Sequence, residues 1–256
     1  DPIYTHNFLK TKVFSQMADA VIVCTHNQAE WAKQFNPSVT VVHIAIDPTP
    51  YEKYSKDYSH PVSKPIIGWL GTAPEHIQNF PVLVGTLRRL AAKKDIPFTF
   101  VLIGAFKNKN VYDMFQSIPN LDVRFIDKLV YTDKESAPRE IQKFDVGVVP
   151  HQSEGIWNKG KTSMKVLEYM ACAVPAVVSA FGEMPYVIQD GVNGFTASSE
   201  DEWVEKLTLL LGDRALRERL GRAGQRTVRE RYSFDAIVPQ IARVIRSLER
   251  IPQTKK

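Results

Sequence analysis

The stretch that decides the fold is Lys159-Gly-Lys-Thr-Ser-Met-Lys-Val-Leu-Glu-Tyr-Met-Ala-Cys-Ala-Val-Pro-Ala-Val-Val-Ser179. It predicts a short loop, one compact helix, a turn marked by Pro175 and a buried strand. Lys161 and Lys165 lie at the start of that helix, and Glu168 lies inside it. A helix start offers unpaired N–H groups and a partial positive charge, which suit a phosphate. Because a carboxylate further along can accept hydrogen bonds from sugar hydroxyls, the stretch predicts a site for a nucleotide carrying a sugar.

Short apolar runs alternate with amphipathic stretches along most of the chain. Apolar runs bounded by turn residues are typical of strands buried in a parallel sheet. The predicted strands cover 20–24, 39–44, 66–70, 99–103, 123–126, 146–149 and 176–179, and the predicted helices include 80–93, 202–211, 215–229 and 234–248. The alternation predicts an α/β fold, a doubly wound parallel sheet with helices on both faces.

Composition divides the chain into four parts. Residues 1–47 predict a partial βαβ unit, and residues 48–64, rich in proline and tyrosine, predict a linker. Residues 65–232 predict the doubly wound domain, and residues 233–256 a final helix capped by Ser233, with a frayed tail. The apolar face of that helix is expected to pack either on residues 1–47 or on its own domain.

Charge, hydrophobic run length and cysteine content indicate which partners and which covalent links the chain can have. The 256 residues carry a net charge of +5, which suits phosphates, nucleic acid or an anionic membrane surface. No basic block with interleaved aromatic residues occurs, so nucleic acid is not an expected partner. No apolar run approaches the roughly 20 residues of a spanning helix. Cys24 and Cys172 are expected to be buried reduced thiols rather than a disulfide or metal pair.

The two lysines at the helix start are the first candidate site residues. Thr162 or Ser163 is expected to cap the helix, with Met164 in its first turn. A cation in the first turn is unfavourable by about 0.3–1 kcal/mol, which a bound diphosphate would reverse. The alternative is that Lys161 and Lys165 are solvated surface residues.

Glu168 is the second candidate, because the helix around it is otherwise apolar. Burying a carboxylate without partners costs several kcal/mol. Either Glu168 binds ribose hydroxyls, or it pairs with Lys165 three residues earlier.

Loops after the predicted strands supply the remaining candidates, since ligands of open parallel sheets lie beyond the carboxyl ends of the strands. These candidates are Gly71, Thr72 and His76 after one strand, Gly104 and Ile126 after two others, His151 after a fourth, and Gly182 and Glu183 after the last. A lone histidine is more often structural, and this is the alternative for His76 and for His151. No cluster of His, Cys or Asp with metal-ligand spacing is evident, and Gly160-Lys-Thr reproduces only the end of a P-loop.

Several separated motifs resemble a known family. Lys-x-x-Glu-Tyr-Met-Ala-x-x-x-Pro-x-Val-x-Ser from Lys165 to Ser179, then Gly182-Glu183 and Gly-Val-Asn-Gly-Phe from Gly191, resemble the donor-binding domain of GT-B retaining glycosyltransferases of family four. The resemblance covers about residues 17–245. It implies a Rossmann-like donor half in which Lys161 and Lys165 act on the diphosphate and Glu168 matches the second glutamate of a Glu-x7-Glu signature.

The chain departs from that family at two places. Gly160 stands where the first glutamate is expected, and Glu154 lies six residues further upstream. The basic residues usual after the first strand of the donor domain are not evident in 71–79. Residues 18–25 and 41–47 resemble the end of the acceptor-binding domain, so the chain is expected to hold the donor half and a remnant of the other half. The missing part would be cut away or supplied by another chain or copy.

The resemblance implies a glycosyltransferase that uses a nucleoside diphosphate-sugar as substrate and needs no cofactor or metal. The acceptor could be a glycan, a lipid or a small molecule, and the protein is expected in the cytoplasm, compatible with peripheral contact with a membrane. Alternatives are a domain that binds the donor without transfer, a non-catalytic interaction domain and, more distantly, a nucleotide-sugar epimerase.

Overall fold

The computed structural model describes residues 2–93, 97–130, 132–151, 159–162 and 164–249. Its strands are β1 (Val21–Val23), β2 (Val39–Val41), β3 (Ile66–Leu70), β4 (Thr99–Ile103), β5 (Asp122–Ile126), β6 (Val146–Val149), β7 (Ala176–Ser179) and β8 (Phe195–Ala197). Its helices are α1 (Pro2–Met17), α2 (His26–Ala32), α3 (Thr49–Glu52), α4 (Pro81–Lys93), α5 (Lys109–Gln116), α6 (Ser136–Ile141), α7 (Met164–Ala171), α8 (Met184–Val187), α9 (Glu200–Gly212), α10 (Arg214–Arg231) and α11 (Phe234–Glu249), with a 3-10 helix at Ala73–Asn79.

The large sheet has six parallel strands in the order β5-β4-β3-β6-β7-β8. From β3 the chain proceeds outward through β4 and β5, and it then returns to β6 beside β3 and proceeds in the opposite direction. The gap between β3 and β6 is therefore the switch point at which open sheets bind ligands. The predicted α/β fold with a doubly wound parallel sheet is confirmed.

Apolar clusters cover both faces of this sheet. One contains Trp69, Phe100 and Trp203, and the other contains Val149, Tyr169 and the buried side of α7. The Tyr169 hydroxyl accepts a hydrogen bond from the N–H of Leu70 at 2.9 Å. Because this bond joins α7 to the end of β3, it fixes the helix at the switch point.

The N-terminal residues form a separate parallel pair, β1 with β2. They contact the large sheet's domain through hydrogen bonds of His26 to Glu183 and of Gln28 to Gly160. β2 ends at Val41 rather than at the predicted residue 44, and Ile46 then makes a parallel bridge to Ser233. Ser233 accepts a hydrogen bond from the N–H of Ala236, so its predicted role as a helix cap is confirmed.

Residues 48–64, predicted as a linker, contain α3 and pack against the sheet's domain. The ammonium group of Lys56 lies 3.0 Å from a carboxylate oxygen of Asp145, and both side chains are buried. The buried Tyr58 hydroxyl donates to the carbonyl of Ala173 at 2.8 Å. The segment is therefore held by tertiary contacts along its length.

Two smaller expectations concern the cysteines and the last helix. Cys24 and Cys172 are free thiols, and Cys172 is buried. On α11, Ile237 is buried whereas Ile241 and Ile245 are exposed, so most of the apolar face is uncovered. None of the helices among the described residues is long and apolar enough to cross a bilayer.

Candidate functional site

A cavity of about 320 Å³ opens at the carboxyl ends of β3 and β4, beside the switch point. Its lining includes Gly71 and Gly104 from the loops after these strands, Lys165 and Glu168 from α7, and Tyr51 from α3. We call it the Glu168 cavity. It lies where the topology of an open parallel sheet predicts a ligand.

Glycine is required in both loops that form its floor. Gly104 has φ +94°, and a Cβ there would lie 1.7 Å from the carbonyl oxygen of Gly71. A Cβ on Gly71, at φ +154°, would lie 2.5 Å from Cε of Lys165. The absence of side chains thus lets the two loops interlock and lets the backbone approach the ligand space.

Lys165 lies in the first turn of α7, where its half-buried ammonium group reaches the loops after β3. Nζ lies 3.2 Å from Nε2 of His76 and 5.5 Å from the centre of the Trp69 ring. Burial lowers the pKa of Lys165; the Glu168 charge opposes this shift and the Lys161 charge adds to it. An anion in the cavity would reverse this shift because it would stabilise the charged ammonium group.

Glu168 accepts a hydrogen bond from the Tyr51 hydroxyl at 2.9 Å, so its partner is Tyr51 rather than Lys165. Burial raises the pKa of the Glu168 carboxyl, whereas the Tyr51 hydrogen bond and the charge of Lys165 oppose the shift. A carboxylate has about four acceptor positions, and Tyr51 occupies one of them. The remaining capacity is available to hydroxyl groups in the cavity.

Two neutral histidines lie near Lys165. His76 has Nδ1 3.1 Å from the side-chain amide of Asn79, and burial, followed by the charges of Lys165 and Lys161, lowers its pKa to about 3. Burial and the same two charges lower the pKa of His151 to about 4. A neutral His76 can accept a hydrogen bond from Lys165 through Nε2, and it therefore positions that ammonium group.

His151 lines a second cavity of about 400 Å³, which we call the His151 cavity. Ser179, the last residue of β7, and Phe181, which follows it, lie on its wall, and the N–H of His151 donates to the Ser179 hydroxyl at 2.9 Å. Nδ1 of His151 is buried and has no hydrogen-bond partner among the residues that the structure describes. This nitrogen is available to a polar ligand.

Other residues predicted at the helix start lie elsewhere. α7 begins at Met164, which packs against the second apolar cluster, and Ser163 lies outside the described residues. Thr162 lines a separate small cavity together with Glu183. Lys161 precedes α7, and its charge acts on both histidines. At the start of α7, Lys165 therefore lines the Glu168 cavity and Lys161 acts through its charge, whereas Thr162 does not line that cavity.

Besides the two histidines, the loop candidates Thr72, Ile126, Gly182 and Glu183 do not line the Glu168 cavity. The carbonyl of Ile126 accepts the N–H of Gly104 at 2.7 Å, so it is used within the sheet edge. Thr72 directly follows Gly71, and its carbonyl accepts the N–H of Glu75 at 3.0 Å. Gly182, at φ +60°, is a turn residue.

Glu183 is 2% exposed and contacts the N-terminal segment instead. Its Oε1 lies 2.9 Å from Nδ1 of His26 and 3.4 Å from Nδ1 of His43. Neither this cluster nor the contact of Tyr51 was predicted from the sequence. Gly160 stands where the family signature has its first glutamate, and its carbonyl accepts a hydrogen bond from the side-chain amide of Gln28. Glu154 lies outside the described residues.

Comparisons with known proteins agree with this architecture. The sequence profile of the family glycosyl transferases group 1 matches residues 64–213. An uncharacterized glycosyltransferase of Methanocaldococcus jannaschii is 29% identical over 159 residues, 61% of this chain and 43% of that protein. Sucrose-phosphate synthase from Thermosynechococcus elongatus superposes with a TM-score of 0.73 at 18% identity, covering 93% of this chain and 60% of that one. The structure of Anabaena Alr3699/HepE in complex with UDP and glucose superposes with a TM-score of 0.72 at 17% identity. The superposition covers 96% of this chain and 69% of that one.

The parallel sheet and these likenesses define a class, that of proteins with the fold of GT-B glycosyltransferases. The chain belongs to the glycosyl transferases group 1 family, whose profile covers more than half of it. It spans 43% of the length of the archaeal relative and 60% of the synthase chain.

Proposed function

We propose that this chain binds a nucleoside diphosphate-sugar and is the donor-binding half of a hexosyl-type glycosyltransferase that retains the anomeric configuration. One observation carries the proposal: Lys165 and Glu168, three residues apart on α7, line the same cavity at the switch point. One side chain suits a diphosphate and the other suits a ribose, at the spacing of a single helical turn.

The contacts support a placement for each part of the donor. The ribose hydroxyls donate to Glu168, which already accepts from Tyr51 at 2.9 Å. The diphosphate lies beside Lys165 and Lys161, where a negative charge favours the ammonium form of Lys165. The base extends toward Leu129, on the wall of the Glu168 cavity. The UDP bound by the Anabaena relative is in keeping with this class of ligand.

In the proposed reaction, the bond between the anomeric carbon and the diphosphate oxygen breaks first. The two ammonium groups stabilise the charge that develops on the leaving diphosphate, a role in which a metal ion is not required. The acceptor hydroxyl attacks the oxocarbenium-like carbon from the same face, and its proton leaves with the diphosphate. Configuration is thereby retained.

Calorimetry with UDP, GDP and ADP tests donor binding. Lys165→Ala is expected to weaken binding of the preferred nucleotide by about 10- to 100-fold, because a hydrogen bond to a charged group contributes about 1.5–3 kcal/mol. Lys93→Ala is the matched control, since Lys93 ends α4 at the opposite edge of the sheet. Equal affinity in wild type and Lys165→Ala would remove the phosphate role of Lys165.

The ribose role of Glu168 has its own test. Glu168→Gln is expected to weaken UDP binding but to have little effect on the 2′,3′-dideoxy analogue, which lacks the hydroxyls that the carboxylate accepts. The same loss of affinity for both nucleotides would show that Glu168 acts on the fold rather than on the ribose.

A second function is favoured by one observation, the share of the relatives that this chain covers. Because it spans 43% of the archaeal protein, it can bind donor and still need a separate acceptor-binding half for transfer. Transfer of sugar to an added acceptor by this chain alone would refute that alternative.

A further inference from the structure

We propose that His26, His43 and Glu183 form a binding site for a divalent transition metal such as Zn²⁺, which joins the N-terminal segment to the large domain. His26 begins α2, His43 follows β2, and Glu183 precedes α8. One ligand atom from each residue lies within 4.8 Å of the other two. This site is separate from the Glu168 cavity, and the proposal does not depend on the proposed function.

The distances from Glu183 to the two imidazoles are close to those around a metal ion of this class. Two atoms bound about 2.1 Å from a tetrahedral zinc ion lie about 3.4 Å apart. Oε1 of Glu183 lies 3.4 Å from Nδ1 of His43 and 2.9 Å from Nδ1 of His26. An ion can therefore be accommodated by side-chain movements of a few tenths of an ångström between Glu183 and each ring.

The three side chains are also the types that zinc prefers. Two imidazoles and one carboxylate, with an open fourth position for water, form a common zinc coordination set. A cavity of about 10 Å³ adjoins His43 and Glu183, and it is close to the space that one water molecule occupies.

Neighbouring groups hold the ligands in place. The His26 ring stacks on Tyr186 with centroids 3.7 Å apart, and the backbone of Cys24 makes a hydrogen bond to His43. Oε2 of Glu183 accepts the N–H of His26 at 2.9 Å, which leaves Oε1 directed at both imidazoles. Outer contacts of this kind orient the ligands of metal sites.

The consequence of metal binding would be mechanical. Two ligands belong to the β1–α2–β2 unit and the third to the domain of the large sheet, so the ion would cross-link them. A ligand that binds only the folded arrangement stabilises it according to its concentration and affinity. At about 100-fold excess over its dissociation constant, Zn²⁺ is expected to raise the Tm by about 5 °C.

Cobalt spectroscopy and zinc calorimetry on the chelator-treated protein test the site. Wild type is expected to bind one equivalent of Co²⁺ with visible d–d bands of a tetrahedral site, and one equivalent of Zn²⁺ should abolish them. His43→Ala and Glu183→Gln should lose the bands and weaken Zn²⁺ binding by more than the roughly 10- to 100-fold that follows loss of an outer-shell partner. His60→Ala, which changes an exposed histidine, is the matched control.

Specific results would overturn the proposal. They are the absence of Zn²⁺ binding to wild type, equal affinity in His43→Ala, and binding that His76→Ala abolishes while His43→Ala retains it. If circular dichroism shows that His43→Ala is unfolded, His26→Ala supplies the measurement, because His26 is 38% exposed in its side chain and tolerates truncation more readily.

Discussion

Replacing Tyr51 with Phe tests how residues 48–64 support the site. The Tyr51 hydroxyl lies 2.9 Å from Oε1 of the half-buried Glu168, and the Phe ring keeps the packing while removing this donor. A hydrogen bond to a charged acceptor contributes about 1.5–3 kcal/mol. Because the carboxylate lines a cavity that admits water, we expect a loss of about 1.5 kcal/mol in the free energy of unfolding at pH 7.

The pH dependence of this loss has a definite sign. The Tyr51 hydrogen bond opposes the upward shift of the Glu168 pKa, so its removal raises that pKa further. A raised pKa in the folded state means that stability is retained at low pH and is lost as pH rises through that pKa. The difference between wild type and Tyr51→Phe is therefore expected to be smaller at pH 4 than at pH 7.

Urea unfolding measures the effect, with Tyr54→Phe as the matched control. Tyr54 also donates to a carboxylate, that of Glu135 at 2.6 Å, but Glu135 is 36% exposed and solvent can replace the bond. A double-mutant cycle with Glu168→Gln should show a coupling above about 0.5 kcal/mol. Additive effects, or a loss in Tyr51→Phe no greater than in Tyr54→Phe, would refute the reasoning.

Two further predictions concern buried charge. Lys56→Met leaves the Asp145 carboxylate buried without the ammonium group that lies 3.0 Å from it. We expect the free energy of unfolding, measured in urea, to fall by about 3–5 kcal/mol. A second change, Asp145→Leu, should recover part of this loss, and failure to do so would contradict the prediction. The pKa values of His76 and His151 are lowered to about 3 and about 4 in the folded chain. Below about pH 6.5 the unfolded chain therefore binds protons that the folded chain does not. The free energy of unfolding should consequently fall as the pH is lowered from about 6.5 toward 4. NMR titration should find both rings neutral at pH 5, with both pKa values raised in Lys165→Met; midpoints near 6.5 in the folded wild type would exclude this.

Four strands of the large sheet were predictable to the residue because most of their side chains are buried on both faces. Four observed strands, Ile66–Leu70, Thr99–Ile103, Val146–Val149 and Ala176–Ser179, have the predicted bounds. A continuous apolar run between turn residues leaves few alternatives for such a strand. Ligands of open parallel sheets bind at the carboxyl ends of the strands, so residues of α7 and of the loop after β3 were expected to meet. Gly71, Lys165 and Glu168 do line one cavity.

Contacts between distant segments were not predictable in the same way. Tyr51 meets Glu168 across 117 residues, and His26 meets Glu183 across 157. Loop position indicates where a residue lies along the sheet edge, but it does not determine where a side chain points. Glu183 was therefore correctly placed after β7 and yet faces the N-terminal histidines. The tyrosines of residues 48–64 were the feature that could have indicated packing against the domain. Aromatic rings such as that of Tyr58 are stabilised by burial, which a solvent-exposed linker does not offer.

The candidate site therefore depends on residues from outside the large sheet's domain. Tyr51 sets the hydrogen bonding of Glu168, Lys56 neutralises Asp145 at the base of β6, and Ile46 bridges to Ser233 at the start of α11. Each contact leaves a buried or half-buried polar group unpaired if residues 46–56 move away, so separation is opposed by about 1–5 kcal/mol per group. Any motion that displaces residues 46–56 must consequently change the carboxylate in the Glu168 cavity, and ligand binding there and the position of the N-terminal segment are thermodynamically linked.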